Sequence, residues 1–250
     1  MAFWTLYKRE LSSYFQSVVA YIVLFGSALT QGLLFVILVT LLAQQNVKDE
    51  SAFQAFFTCA IFWILLFVQV PLITMRVFSE EFKLGTIEML LTAPVREWEI
   101  VLAKFFGALT FFLILWTPVI LDQVALQLFS SPPPPACWGQ YATTALTLLL
   151  VGGFFVSLGV FTSALTKNQI IAAVLCFALI LVSFFIALLK WQEHLTSFTQ
   201  SCISYVSMIE HFGHAVQGLF DTRPVVYYVT MTAFFLLATQ RLLLARRLKG

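Results

Sequence analysis

Six stretches of this sequence are each 20 or more residues long, strongly apolar and almost free of charge: residues 19–43, 53–75, 104–129, 141–164, 170–189 and 224–244. At 1.5 Å of rise per residue, about 20 residues carry an α-helix across a hydrocarbon core of about 30 Å. Lipid offers the backbone no hydrogen bonds, so a spanning segment is a helix or part of a closed barrel. The alternation of outward and inward residues that marks a barrel strand is missing here. The expected fold class is therefore all-α: a polytopic membrane protein with six transmembrane helices in a single domain over residues 1–250. Only 10% of the residues are charged, against about 25% in a soluble domain, which excludes a soluble enzyme or nucleic-acid-binding module.

Six spans put both termini on one side, and the 14 Lys and Arg residues sort accordingly. The terminal side holds Lys8, Arg9, Arg76, Lys83, Arg96, Lys104, Lys167, Arg241, Arg246, Arg247 and Lys249; the other holds Lys48, Lys190 and Arg223. The positive-inside rule places the termini in the cytoplasm.

Residues 2–17 come before the first span. Phe3, Tyr7, Leu11, Tyr14, Phe15 and Val18 recur at helical spacing, with Lys8, Arg9, Glu10, Ser12, Ser13 and Gln16 between them, which predicts an amphipathic helix along the membrane surface. A signal peptide fits less well, because the apolar run that follows is too long and lacks a small-residue cleavage site. Within the first span, Gly26, Ser27, Thr30 and Gln31 form a small, weakly polar strip, a candidate for a pathway or subunit-interface lining or for ordinary helix packing. Pro71 removes a backbone hydrogen bond in the second span, and a kink is expected there. Asp122 lies near the far end of the third span and reads as an interfacial aspartate. Pro132–Pro135 form a stiff connector, and Gly152, Gly153, Ser157 and Gly159 mark a close-packing face on the fourth span. The segment 190–223 is too polar to span and has patches of helical character.

Four cysteines are present. Cys59 and Cys176 read as small buried hydrophobes, and a disulfide between Cys137 and Cys202 is left open. Glu210, His211 and His214 could share a helical face around a metal, but this spacing is more often a solvated polar surface.

The stretch 76–103 stands apart. It carries Arg76, Glu80, Glu81, Lys83, Glu88, Arg96, Glu97 and Glu99 between two apolar spans, too much charge to lie in lipid. The second span is expected to continue as helix to Lys83 and stop at Gly85. Thr86 then N-caps a short helix, Ile87 to Leu91, and Pro94 opens the helix of the third span. Met89, Leu90 and Leu91 give the short helix an apolar surface suited to a partner's groove.

MRVFSEEFKLGTIEMLLTAPVREWEIVLAKF resembles the coupling segment of the permeases of type-two ATP-binding-cassette (ABC) exporters, and is most similar to that of the gliding-motility-associated transporter. WTLYKRELSSYFQSVVAYI resembles the elbow helix of that family, with Val18–Val19 where a proline is expected. SALTKNQIIAAVL resembles its turn between spans 4 and 5, and YVSMIEHFGHAVQGLFDTR and LLLARR its outer segment and last span. The resemblance implies a permease half in a bacterial inner membrane, paired with a second permease subunit, identical or related, and driven by a dimer of cytoplasmic ABC ATPases. Position in the motif assigns the ATPase contact to Glu80, Glu81, Lys83, Gly85, Thr86, Glu88 and Leu91, with Lys167 and Asn168 as a second contact. No GxxxxGK[ST] phosphate loop occurs, so ATP and Mg are expected in the partner and no cofactor in this chain.

Three other classes compete. An intramembrane serine protease needs Ser and His facing each other in the membrane, and His194, His211 and His214 all fall in the outer segment. A secondary transporter would show broken or charged spans at the midplane and an internal repeat. A non-transporting anchor of an envelope complex is the main alternative, although the longest outer segment is too short for a large domain. The phenylalanine-rich spans with little buried charge suit a lipid-like or amphipathic cargo better than an ion, but ordinary lipid-facing surfaces are the simpler explanation of the same enrichment.

Overall fold

The computed structural model describes residues 2–45, 51–87, 95–129, 137–188 and 197–247, less the side chains of residues 2, 45, 197–199 and 202. All regular structure in these residues is helical, and six helical segments are long and apolar enough to cross a membrane: Val18–Gln44, Ala60–Leu84, Glu97–Phe129, Trp138–Leu165, Gln169–Leu188 and Thr222–Arg247. The expected number and order of spans hold. In chain order the helices are α1 (Ala2–Phe15), α2 (Val18–Gln45), α3 (Ala52–Thr58), α4 (Ala60–Thr74), α5 (Ser79–Leu84), α6 (Glu97–Leu115), α7 (Thr117–Phe129), α8 (Trp138–Leu165), α9 (Gln169–Leu188), α10 (Ser197–Val206), α11 (Met208–Val216) and α12 (Thr222–Arg247).

Helix α8 is the centre, and it packs against α4, α6, α9, α11 and α12. Its small residues make this possible. A Cβ on Gly152 would lie 2.1 Å from Cε1 of Phe112 on α6, and one on Gly159 would lie 2.0 Å from Oγ1 of Thr74 on α4. In lipid, where tails are as apolar as leucine, such close approach is what holds helices together.

Two spans are broken where uninterrupted helices are expected. Span 2 is split at Cys59, whose extended ψ of 142° separates α3 from α4. No Gly or Pro marks that position. An aromatic cluster holds the break, with Phe57, Phe62 and Trp63 packing on Phe212 of α11 and Phe53 on Tyr141 of α8. Pro71 does not end the helix; α4 runs through it and unwinds only at Met75. Span 3 begins at Glu97, earlier than residue 104, and is interrupted at Trp116. Pro118 explains the interruption, since it has no N–H to give to Ile114. The Thr117 hydroxyl donates to the Ile114 carbonyl at 2.7 Å instead. The Leu115 carbonyl accepts from Gln31 Nε2 of α2 at 3.1 Å and from Ser27 Oγ at 3.3 Å. Gln69 Nε2 of α4 donates to Ser27 Oγ at 2.8 Å, so three spans meet on this one hydroxyl.

At one end of the bundle, α10 and α11 lie between α9 and α12. Ser207 caps α11, and Gly218 (φ 82°) turns the chain out of it, with Leu219 N–H closing on the His214 carbonyl at 3.0 Å. The solvated histidine surface expected here is corrected at His211, which is buried, with Nδ1 2.9 Å from the Tyr228 hydroxyl. Phe212, Ala215 and Val216 share its inward face, and packing the apolar side of α11 on α8 carries His211 in with them. Cys176 is buried, Cys59 half-buried, and the exposed Cys137 thiol is free.

Two measurements test this packing. Gly159→Ala and Gly152→Ala should each lower unfolding stability by about 1–3 kcal/mol through overpacking, while Gly26→Ala, with open space around it, should be neutral. Burial drives the His211 pKa down to about 4 from the usual 6.5; Asp221 opposes this slightly and His214 adds to it. Below pH 6.5 the unfolded chain therefore binds a proton that the folded one refuses. Stability should be full above pH 6.5 and fall by on the order of 2 kcal/mol towards pH 4, a fall that His211→Gln should flatten in a pH series of melts.

Candidate functional site

The end of the bundle opposite α11 gathers the middle of α1, the stretch from Met75 to Thr86, the first half of α6, the α8–α9 turn and the end of α12. It is built around α5. The chain leaves α4 through a turn at residues 75–78 and re-enters helix at Ser79, so the helix expected to run on to Lys83 is interrupted. Phe78 at the N-cap has no capping side chain of its own. Ser163 of α8 takes that role: its hydroxyl accepts from the N–H groups of Phe78 (3.0 Å) and Ser79 (3.1 Å) and donates to the Met75 carbonyl (3.1 Å). Gly85 ends α5 in the left-handed conformation (φ 72°), as expected of a glycine cap.

Below α5 lies a buried ion cluster. Lys104 of α6, its side chain 2% exposed, donates to Glu81 Oε1 of α5 at 2.9 Å and to Glu10 Oε1 of α1 at 3.1 Å. Arg9 reaches the same two carboxylates from the surface, at 3.3 and 3.5 Å. The Lys104 ammonium also sits 5.2 Å from the centre of the buried Phe78 ring. Three helices far apart in sequence thus converge on one cation. Glu10 gets there because α1 lies along α6: Tyr7 bonds Thr110 at 3.0 Å, Tyr14 stacks on Phe111, and a Cβ on Gly107 would lie 3.2 Å from Glu10 Cβ. The surface helix expected over residues 2–17 exists over Ala2–Phe15, but α6 covers one of its faces, and Phe15 and Val18 point outward. Tyr14 is half-buried in this contact and its hydroxyl pKa is raised, by desolvation first and by Glu10 second.

The last helix closes the site. The Arg246 guanidinium stacks 4.2 Å above the Phe82 ring of α5 and donates to the Leu165 carbonyl at 3.0 Å, while Arg247 pairs with Glu97 at the start of α6. Arg246 thereby joins α5 to the α8–α9 turn. In that turn Asn168 Oδ1 accepts from Ile170 N–H at 2.9 Å and starts α9.

The assigned contact residues separate by environment. Lys83, Gly85 and Thr86 are exposed, as are Lys167 and Asn168 across the site. Glu81 is committed to Lys104 inside the protein. Glu80 is half-buried beside a cavity. Of the short helix expected at 87–91, Ile87 is helical and buried, while Glu88 and Leu91, with the residues between them and with Pro94, lie outside the described residues, and α6 begins only at Glu97. In the strip of the first span, Ser27 and Gln31 are buried in the network at Leu115, whereas Gly26 and Thr30 are exposed on the neighbouring face. Sequence reasoning missed Glu10, Lys104, Ser163 and Arg246 as site residues. Lys104 carried a signal, as a charge already inside an apolar run.

Six apolar helical spans, both termini at one end and a charged helical bend between spans 2 and 3 define a polytopic membrane domain of the transporter-permease type. The sequence matches the ABC-2 type transporter family over residues 1–221, and the chain belongs to that family. It is thus the membrane-embedded permease component of an ABC transporter, a class without catalytic activity of its own that works with an ABC ATPase. No curated protein shows a significant match to the chain.

Removing the cation at the centre should be far worse than removing the whole cluster. Lys104→Met leaves Glu10 and Glu81 side by side with only the exposed Arg9 as counter-charge and should cost about 3 kcal/mol, read from thermal melts in detergent. Adding Glu10→Gln and Glu81→Gln to Lys104→Met should recover at least half of that loss.

Proposed function

We propose that the exposed edge of α5, from Lys83 through Thr86 and on into the segment that follows, is where a cytoplasmic ABC ATPase grips this permease, with Lys167 and Asn168 as a second contact. The observation that carries this reading is the exposure of Lys83–Thr86 on a helix whose other faces are all tied to spans. Leu84 is 66% exposed, an apolar side chain held out beside charged ones, which suits a partner's groove. ATP and Mg bind in the partner. Closure of the ATPases pushes on α5, and the spans re-pack to move a substrate outward or to do conformational work. The termini and α5 face the cytoplasm of a bacterial inner membrane, in keeping with the crowding of basic residues at that end. Two permease subunits, identical or related, complete the transporter, and the exposed Gly26 and Thr30 face of α2 is a candidate for their contact. The gliding-motility type is the variety of transporter that the motif favours.

The test is co-purification with the ATPase from the same membranes. Lys83→Glu combined with Leu84→Asp should weaken retention of the ATPase about tenfold and abolish stimulation of its hydrolysis, with the permease melting as wild type. Retention and stimulation at wild-type levels would sink the coupling role of α5.

A further inference from the structure

We propose that the cavity between α1, the start of α2, the end of α4, the turn at residues 75–78, the start of α5 and α6 is a binding site for the headgroup of an amine-bearing phospholipid, its phosphate on Arg76 and its ammonium on Glu80. The cavity measures about 390 Å³, near the small end of the roughly 300–1,000 Å³ of ligand sites, the size of a headgroup and not of a whole lipid. It lies where the chain passes from the amphipathic α1 into the apolar α2. Its wall changes accordingly, from Arg76 and Glu80 to Val19, Ala20, Val23 and Leu72. That is the order of chemistries met on going from a headgroup to its acyl chains.

The charges single out two partners. Of the basic residues in the wall, Arg9 and Lys104 are already paired with Glu10 and Glu81. Arg76 has no ion pair among the described residues; its Nη1 donates to Ser17 Oγ at 3.1 Å, and its buried Nε has no acceptor. A guanidinium offers five N–H donors, so most of its capacity for a phosphate is unspent. Glu80, four residues further on at the start of α5, has no hydrogen bond or ion pair among the described residues. A cation and a carboxylate that line one cavity without bonding each other call for a zwitterion that bridges them. An anionic headgroup would leave Glu80 uncompensated, and a choline headgroup has no N–H to give it. A place for the tails adjoins: Ile61, Ile64, Val68 and Leu72 form an exposed stripe on α4 that ends in the cavity wall at Leu72. This assignment is independent of which partner meets α5.

The experiment titrates the full chain, in mild detergent, with phosphatidylethanolamine, phosphatidylcholine and phosphatidylglycerol of matched acyl chains, and reads retention by native mass spectrometry. Phosphatidylethanolamine should be retained about tenfold more strongly than the other two. Arg76→Gln should lose about tenfold of that retention, and Glu80→Gln should bring phosphatidylethanolamine down to the level of phosphatidylcholine. Ala20→Trp, which fills the apolar part of the cavity and leaves both charges in place, should lose retention as Arg76→Gln does; Gly26→Ala, on the exposed face, should not. Equal retention of the three lipids, a preference for phosphatidylglycerol, or wild-type retention in both Arg76→Gln and Ala20→Trp would overturn the site.

Discussion

The Lys104 ammonium, held between Glu10 and Glu81, fixes how the charged end of this permease is assembled. A buried ion pair adds little net stability by itself, because desolvation cancels much of the attraction. Its value lies in the penalty for separation: once the three helices are packed, withdrawing α6 takes the buried cation from both carboxylates, and withdrawing α1 or α5 takes one of the two carboxylates from Lys104. The positions of α1, α5 and α6 are therefore set relative to one another within a hydrogen-bond length, 2.9 Å to Glu81 and 3.1 Å to Glu10. Phe78 and Gly107 make the arrangement possible, one by placing an aromatic face beside the ammonium, the other by letting α1 come close enough for Glu10 to reach.

The interior follows a second rule, that lipid satisfies no backbone group. Pro118 breaks span 3, and the carbonyls this frees are taken by Thr117 within the same span and by Ser27 and Gln31 from α2. The polar residues of the first span thus have a structural task, and α2, which is largely exposed, is pinned to the bundle by hydrogen bonds as well as by packing. Around α8 the same economy is met with small residues, where Gly152 and Gly159 leave room for Phe112 and Thr74.

Much of this was legible in the sequence because it depends on local pattern. Six apolar runs gave six spans, Gly85 ends its helix, and the glycine-rich face of residues 152–159 packs closely. What was not legible depends on which helices become neighbours. The break at Cys59 has no local breaker and is held by aromatic rings from three parts of the chain. Glu10 sits on the edge of the α1 polar face in any helical wheel, and only the packing of α1 on α6 turns it inward. His211 looked solvated because its neighbours Glu210 and His214 are polar, yet Phe212, Ala215 and Val216 decide which way that face turns. Pro118 is the exception, a local signal that accounts for the break at Trp116 and that was passed over because the apolar run continued through it.

Three of the six residues of α5 are tied to different parts of the molecule, an arrangement that suits the proposed coupling role. Ser79 is capped from α8, Glu81 reaches α6 and α1, Phe82 lies under Arg246 of α12, and only Lys83 and Leu84 face outward. A force applied at the exposed edge meets no soft joint before the spans. To move α5 alone would strip Ser79 of its cap, leave Lys104 with Glu10 as its one carboxylate and unstack Arg246, each costing on the order of 1–3 kcal/mol, whereas moving the attached helix ends together costs none of these. The turn at residues 75–78 separates α4 from α5, and its backbone is held by Ser163 of α8 and not by a continuous helix. On the proposed coupling role, displacement of α5 would therefore be passed to α1, α6, α8 and α12 as one body.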